Sequence, residues 1–185
     1  MERFRKLKEL MEQTGLSRQE VINYLTNQAD YVDISLIKSG MFWLEDETFS
    51  FELTGGKRVK AIVELVENGI IYCDLTASEL FDIKEQKLPW DEAKKFFENF
   101  SYPCKENEKI VWYTDEQLRN VCDNYGQAKK AFAKLSKHCR HDWNWTSVKQ
   151  NQERAYSVQF DRGTVYGSFI NNLDYIRPVI ALKVS

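Results

Sequence analysis

Hydrophobic and polar positions alternate most clearly near the C-terminal end, where Ala155, Ser157 and Gln159 interleave with Tyr156, Val158 and Phe160. A period of two predicts a strand with one buried face. The turn Asp161-Arg162-Gly163, with glycine at the left-handed position of a three-residue loop, joins it to a second strand, "TVYGSF". An Asn171-Asn172 turn then leads into a last apolar strand, "YIRPVIAL", interrupted by Arg177-Pro178. Upstream, "VKAIVELV" and "IIYCDL" flank Glu67-Asn68-Gly69 and predict a hairpin. Their unbroken apolar runs predict central strands covered on more than one side. "IVWY" and "WNWTS" add two shorter strands.

Elsewhere the period lengthens to that of a helix. Trp90, Ala93, Phe97 and Phe100 form one stripe behind Pro89, while Asp91, Glu92, Lys94 and Lys95 face water, so this helix docks on a sheet. Thr114-Asp115-Glu116-Gln117 is a capping box with Tyr113 stapled onto Leu118; the helix buries Leu118, Val121 and Cys122 and ends at Gly126. "QAKKAFAKL" supplies a third helical segment. At the N-terminal end Leu7, Leu10 and Met11 form a stripe that Gly15 breaks. A second helix starts at a Ser17/Glu20 capping box, with Leu16 stapled to Val21 and with Val21, Ile22 and Leu25 as its apolar face. From 31 to 56 there is no periodicity and no regular element is predicted. Helices between an early hairpin and a late set of strands give the α+β class, organised as a helical arm over 1–30 and one domain over 31–185.

Composition narrows what such a domain does. Lys and Arg number 26 against 28 Asp and Glu, a net charge of -2, which supplies no bulk attraction to nucleic acid or to an anionic membrane. The first residues alternate in charge and no stretch reaches the length of a membrane span. The expected location is therefore cytoplasmic as synthesised, with a phage particle as one route out. Cys73, Cys104, Cys122 and Cys139 are scattered without a CxxC pair and are expected as free thiols. His138-Cys139-Arg140-His141 contains metal-ligand types at a spacing foreign to zinc sites and is read as a solvated helix end, so no metal or cofactor is expected. Asp161 and Asp174 lack the further oxygens that calcium needs. There is no Gly-x-Ser-x-Gly, no phosphate loop and only two histidines, which points away from an enzyme.

The tail carries a resemblance. Trp145-Thr146-Ser147, Ala155-Tyr156-Ser157-Val158-Gln159-Phe160, Gly163, Asn171-Asn172 and Ile176-Arg177-Pro178-Val179 follow one another in the order and spacing of a known pattern. This stretch resembles the C-terminal half of bacterial C-type-lectin-like domains of the collagen-like-protein C-terminal family, and of the variable proteins made by diversity-generating retroelements. "PWDEAKKFFENF" and "WYTDEQL" are looser matches, with Tyr113 in place of the family's proline and Gln117 in place of its glutamate. The resemblance implies a C-type-lectin-like fold in which first and last strands pair. Pro178 then stands at a strand start or sheet edge, Arg177 is held by packing against a carboxylate or loop carbonyls, and the late loops form a ligand face.

Aromatics make up 14% of the chain, more than a core of this size needs. The candidate ligand-binding residues are Trp143, Asn144, Asn151, Tyr166, Ser168, Asn171, Asn172, Asp174 and Tyr175, a mix of rigid anchors and adaptable polar groups like that of a paratope. Trp145, Tyr156 and Phe160 are assigned to the core. The expected function is non-enzymatic recognition of a protein or a carbohydrate. The alternatives are a metal- or thiol-dependent enzyme using His138, Cys139 and His141, related to the formylglycine-generating oxidases, and an intracellular assembly subunit self-associating through 1–28.

Overall fold

A computed structural model describes residues 11–12, 15, 33–53, 55–80, 86–137 and 142–183. The chain divides into two units, Met1–Asp33 with Val184–Ser185, and Ile34–Lys183. In the first, the Gly15 amide donates to the Met11 carbonyl at 2.9 Å with Gly15 at φ +68°, the left-handed closure that glycine gives a helix end. The predicted second helix of the arm and its capping box lie outside the described residues.

The larger unit begins with a hairpin the sequence did not announce. Strands β1 (Phe42–Leu44) and β2 (Phe49–Ser50) pair antiparallel in the stretch expected to be irregular. They are short, and the polar turn between them, with Glu47 at φ +68°, dilutes the alternation. Burial explains why they form: Phe42, Trp43 and Leu44 are all but inaccessible to solvent. Strands β3 (Val59–Glu67) and β4 (Ile70–Asp74) form the predicted hairpin around Asn68 and Gly69, whose φ values of +50° and +80° fit a two-residue turn of the kind that matches strand twist.

After β5 (Lys87–Leu88), helix α1 (Trp90–Asn99) starts behind Pro89 as predicted. Strand β6 (Glu108–Val111) lies two residues earlier than "IVWY" suggests, because Trp112 and Tyr113 leave the ladder and the Tyr113 carbonyl accepts from the Ser147 amide at 2.8 Å. Helix α2 (Asp115–Asp123) has both halves of the predicted capping box, Thr114 and Gln117. Gly126 does not end it. Asn124 breaks the chain direction, its amide bonding to the Val121 carbonyl, and α3 (Tyr125–Lys134) takes Gly126 into its first turn.

The late strands are β7 (Trp143–Lys149), β8 (Arg154–Gln159), β9 (Thr164–Phe169), β10 (Asp174–Tyr175) and β11 (Val179–Lys183). Two sheets result, ordered β2-β1-β3-β4-β11-β6 and β5-β10-β7-β8-β9, and every pairing is antiparallel except β10 with β7. The mixed α+β class is as expected. The last strand does close on the early hairpin, but its partner there is the hairpin's second strand and not the first strand of the chain: β11 pairs with β4 from Val179 opposite Asp74 to Lys183 opposite Ile70, and β1 and β3 lie farther out in the sheet. Pro178 stands just before that ladder, where no amide donor is needed.

One core joins the first sheet, α2, α3 and one face of the second sheet through Phe42, Leu44, Ile62, Tyr113, Leu118, Phe132, Val158 and Phe160. A second gathers Trp90 and Ala93 of α1 against Trp145, Ala155 and Ile176. Each fully buried aromatic or aliphatic side chain there stabilises the fold by about 1.5–3 kcal/mol. Three indoles also tie this second core to backbone. Trp90 donates to the Thr146 carbonyl at 2.9 Å, Trp112 to Trp145 at 3.0 Å and Trp145 to Leu88 at 2.7 Å.

Candidate functional site

Two clusters of polar side chains stand out, and their surroundings separate a structural role from a functional one. The first is sealed. Arg177 donates to the carboxylates of Glu64 and Asp74, the Tyr113 hydroxyl donates to Glu64 at 3.3 Å, and the guanidinium carbon lies 4.1 Å from the centre of the Phe160 ring. Glu64 and Asp74 expose no surface. Burial pushes the Glu64 carboxyl up to about 8, outweighing the pull of Arg177, and the Asp74 charge beside it acts in the same sense. Burial thus favours the neutral acid at Glu64, and the Arg177 guanidinium is shared between the two carboxyl groups. Arg177 is held by carboxylates, as the sequence led us to expect. No ligand reaches this lock, which fastens β3, β4 and the entry to β11.

The second cluster lies on the face of the second sheet turned away from α2. In register, Trp145 opposes Ser157 and Ser157 opposes Tyr166, while Ala155 opposes Ser168. Alternation along the strands therefore places Trp143, Trp145, Ala155, Ser157, Tyr166 and Ser168 on one side. Helix α1 covers the Trp145 and Ala155 end of this side. At the other end Trp143 and Tyr166 meet edge to face, ring centres 6.1 Å apart, and Tyr166 is 56% exposed. Three small side chains between large rings make a floor below a rim.

Asp174 reaches this floor from the segment that crosses from β9 to β10. It stands opposite Leu88, a residue packed against the Trp145 core, and is 9% exposed. Burial raises its pKa; the nearby Ser157 hydroxyl favours the charged form, Asp142 opposes it, and Lys87 and the Ser168 hydroxyl favour it. Even so, Asp174 Oδ2 and Ser157 Oγ, both shielded from solvent, reach no hydrogen-bond partner within bonding geometry. A buried carboxylate oxygen left in this state costs stability.

The structure thus brings together Trp143, Tyr166, Ser168 and Asp174 of the predicted set. Asn144 is 1% exposed and lies with Val158 and Val165 on the core-facing side, its amide donating to the Asp142 carbonyl at 2.7 Å. It braces the strand and is not part of the outer face. Tyr175 is in register with Asn144 and with Lys87, whose ammonium sits 4.5 Å from the Tyr175 ring centre. Asn151 is exposed but spends its carbonyl oxygen on the amides of Glu153 and Arg154, both at 2.9 Å, turning the β7–β8 connection. Asn171 and Asn172 are exposed on the crossing segment. Ser157 was missed by sequence reasoning; the signal was the run of small residues, Ala155 and Ser157, on the outward half of the alternation. Of the residues assigned to the core, Trp145 and Phe160 are buried and Tyr156 is half-buried.

Elsewhere, a groove of about 440 Å³ runs past Tyr72, Val111, Trp112, Gln117 and Ala181, but Gln117 is already engaged by Thr114 and the Tyr72 hydroxyl. Thiol chemistry has little footing among the described residues. Burial holds Cys73 and Cys104 above the ordinary thiol value and pushes Cys122 up to about 12. His138, Cys139 and His141 lie outside the described residues, and among those described no group of three metal-ligand side chains converges. No helix among them is long and apolar enough to cross a membrane.

Comparison with protein-family models returns no match, and comparison with curated proteins returns none at a significant level.

Proposed function

We propose that this chain is a non-enzymatic recognition module of C-type-lectin-like architecture that binds its ligand on the outer face of the second sheet. The observation that carries the reading is the pair of the half-buried Trp143 and the exposed Tyr166 standing over the small-residue floor of Ala155, Ser157 and Ser168. Rigid aromatics on a paired sheet lose little entropy on binding, and the exposed Asn171 and Asn172 beside them offer adaptable hydrogen bonds. The closure of the last strand on the early hairpin supports the C-type-lectin-like part of the reading.

The test is a screen of the full chain against a glycan array and a displayed peptide library, followed by surface substitutions. A ligand is expected whose affinity falls at least tenfold in Tyr166→Ala or Asn171→Ala and is unchanged in Lys95→Ala on α1. Ligands that map only to other surfaces overturn the reading. The finer version, a retroelement-diversified protein, requires a neighbouring reverse transcriptase gene and a DNA copy of the 143–180 region differing only at adenines.

A further inference from the structure

We propose that this outer face selects an organic cation, an ammonium or guanidinium group seated on the Trp143–Tyr166 pair with Asp174 behind it as counter-charge. The proposal rests on the recognition reading above and adds the chemical class of the ligand. Three features converge on it. Asp174 is 91% enclosed by the measure of its 9% exposure, yet its Oδ2 and the adjoining Ser157 Oγ have no hydrogen-bond partner. The carboxylate oxygen accepts only, so the group that completes it is a donor, while the Ser157 hydroxyl can donate or accept. Lys87, which acts on Asp174 through its charge, is engaged with Asp142 at 2.7 Å and with the Tyr175 ring. With Asp142 offset by Lys87, Asp174 is the carboxyl group that biases the site against anions.

The aromatic rim supplies the rest. A cation held against the face of Trp or Tyr is attracted by the ring quadrupole, and more strongly when water is excluded. Neutral hydroxyl ligands gain the hydrogen bonds but not this term, nor the attraction of a carboxylate behind a low-dielectric wall. The chain therefore keeps a buried acid that its own fold leaves incompletely satisfied, the signature of a site shaped for binding and not for stability.

The experiment follows the Trp143 indole N–H in ¹⁵N-labelled full-length protein, assigned by its loss in Trp143→Phe. Probes are n-butylammonium, methylguanidinium and the neutral isostere n-butanol, together with a capped Gly-Gly-Lys-Gly-Gly peptide and its norleucine counterpart. The expected result is a saturable shift with the cations and the lysine peptide, and a midpoint at least fivefold higher, or no saturation, with butanol and the norleucine peptide. Tighter binding of the peptide than of butylammonium identifies a protein side chain as the source; equal or weaker binding identifies a free amine. Asp174→Asn abolishes saturation and raises the melting temperature at pH 7, because it removes the buried charge. Tyr166→Ala, at an exposed position, weakens binding with no change in melting temperature. Equal shifts with butanol, or an unchanged midpoint in Asp174→Asn, overturn the cation while leaving the recognition face standing. The absence of saturation with every probe also overturns it, the orphan atoms then holding water alone, and the substitution screen above decides the recognition reading by itself.

Discussion

Replacing Glu64 by glutamine isolates the proton held in the buried lock. The folded chain keeps the Glu64 carboxyl protonated up to about pH 8, against an ordinary value of 4.5 in the unfolded chain. Between those two values the folded state binds more protons, so stability falls as pH rises through the window. At ~1.4 kcal/mol per unit, wild type loses up to about 5 kcal/mol from this one group by pH 8. Glutamine preserves the shape, an oxygen for Arg177 and a donor toward Asp74, and has no proton to lose. Urea unfolding of both proteins at pH 5, 6.5 and 8.5, read by tryptophan fluorescence, gives the difference directly. The lowered carboxyls of Glu45, Asp46 and Glu47 are common to both proteins and cancel. The variant is expected to lie within about 1 kcal/mol of wild type at pH 5 and to exceed it by several kcal/mol at pH 8.5. A difference that does not change with pH, or a large loss at every pH, would show Glu64 to be an ionised partner of Arg177 and refute the assignment.

Other perturbations probe the frame around the site. Thr114→Ala removes the side chain that accepts from the Gln117 amide at 3.2 Å and should cost about 1 kcal/mol in urea unfolding. Gly40→Ala and Gly69→Ala both force alanine to a positive φ, but only at Gly40 does the new Cβ meet a neighbour, the Gln127 carbonyl at 2.9 Å. The Gly69 variant should lose about 1 kcal/mol and the Gly40 variant roughly twice that or more, and equal losses would count against the close approach. In native protein Cys104 should react with a thiol reagent while Cys73 stays unlabelled until urea unfolds the chain, read by mass spectrometry of peptides.

What the sequence made legible follows from how local each signal is. The Thr114/Gln117 capping box, the Asn68-Gly69 turn and the Gly163 loop are settled by two to four neighbouring residues, and all three form as predicted. The β1–β2 hairpin was invisible because its strands are held by burial of Phe42, Trp43 and Leu44 against distant residues, which no local period reports. Gly126 misled because glycine is a helix terminator only where the backbone turns left-handed, and Asn124 had already broken the helix. In the site, alternation along β7 and β9 left core and outer face open for Trp143 and Tyr166, and it cannot place Asp174 over Ser157, since that depends on where the crossing segment lands. It also ranked Asn144 by residue type, whereas register with Val158 puts it on the core side.

The segment from β9 to β11 is held at a series of anchors. Leaving β9, Ile170 is pinned from both directions, its amide to the Glu153 carbonyl at 3.0 Å and its carbonyl by the Trp90 amide at 2.8 Å. Beyond the exposed Asn171, Asn172 and Leu173, the Ile176 amide bonds to the Gln86 carbonyl at 3.2 Å, Arg177 enters the lock, and the Pro178 carbonyl accepts from Leu75 at 3.2 Å. Three exposed residues are thus stretched between fixed points, with Asp174 delivered to the floor of the outer face as part of the same arrangement. Such clamping lowers the ordering cost of binding. It also couples the two clusters. Arg177, bonded to Glu64 and Asp74, lies three residues from Asp174, so the lock also fixes the path by which Asp174 reaches the face.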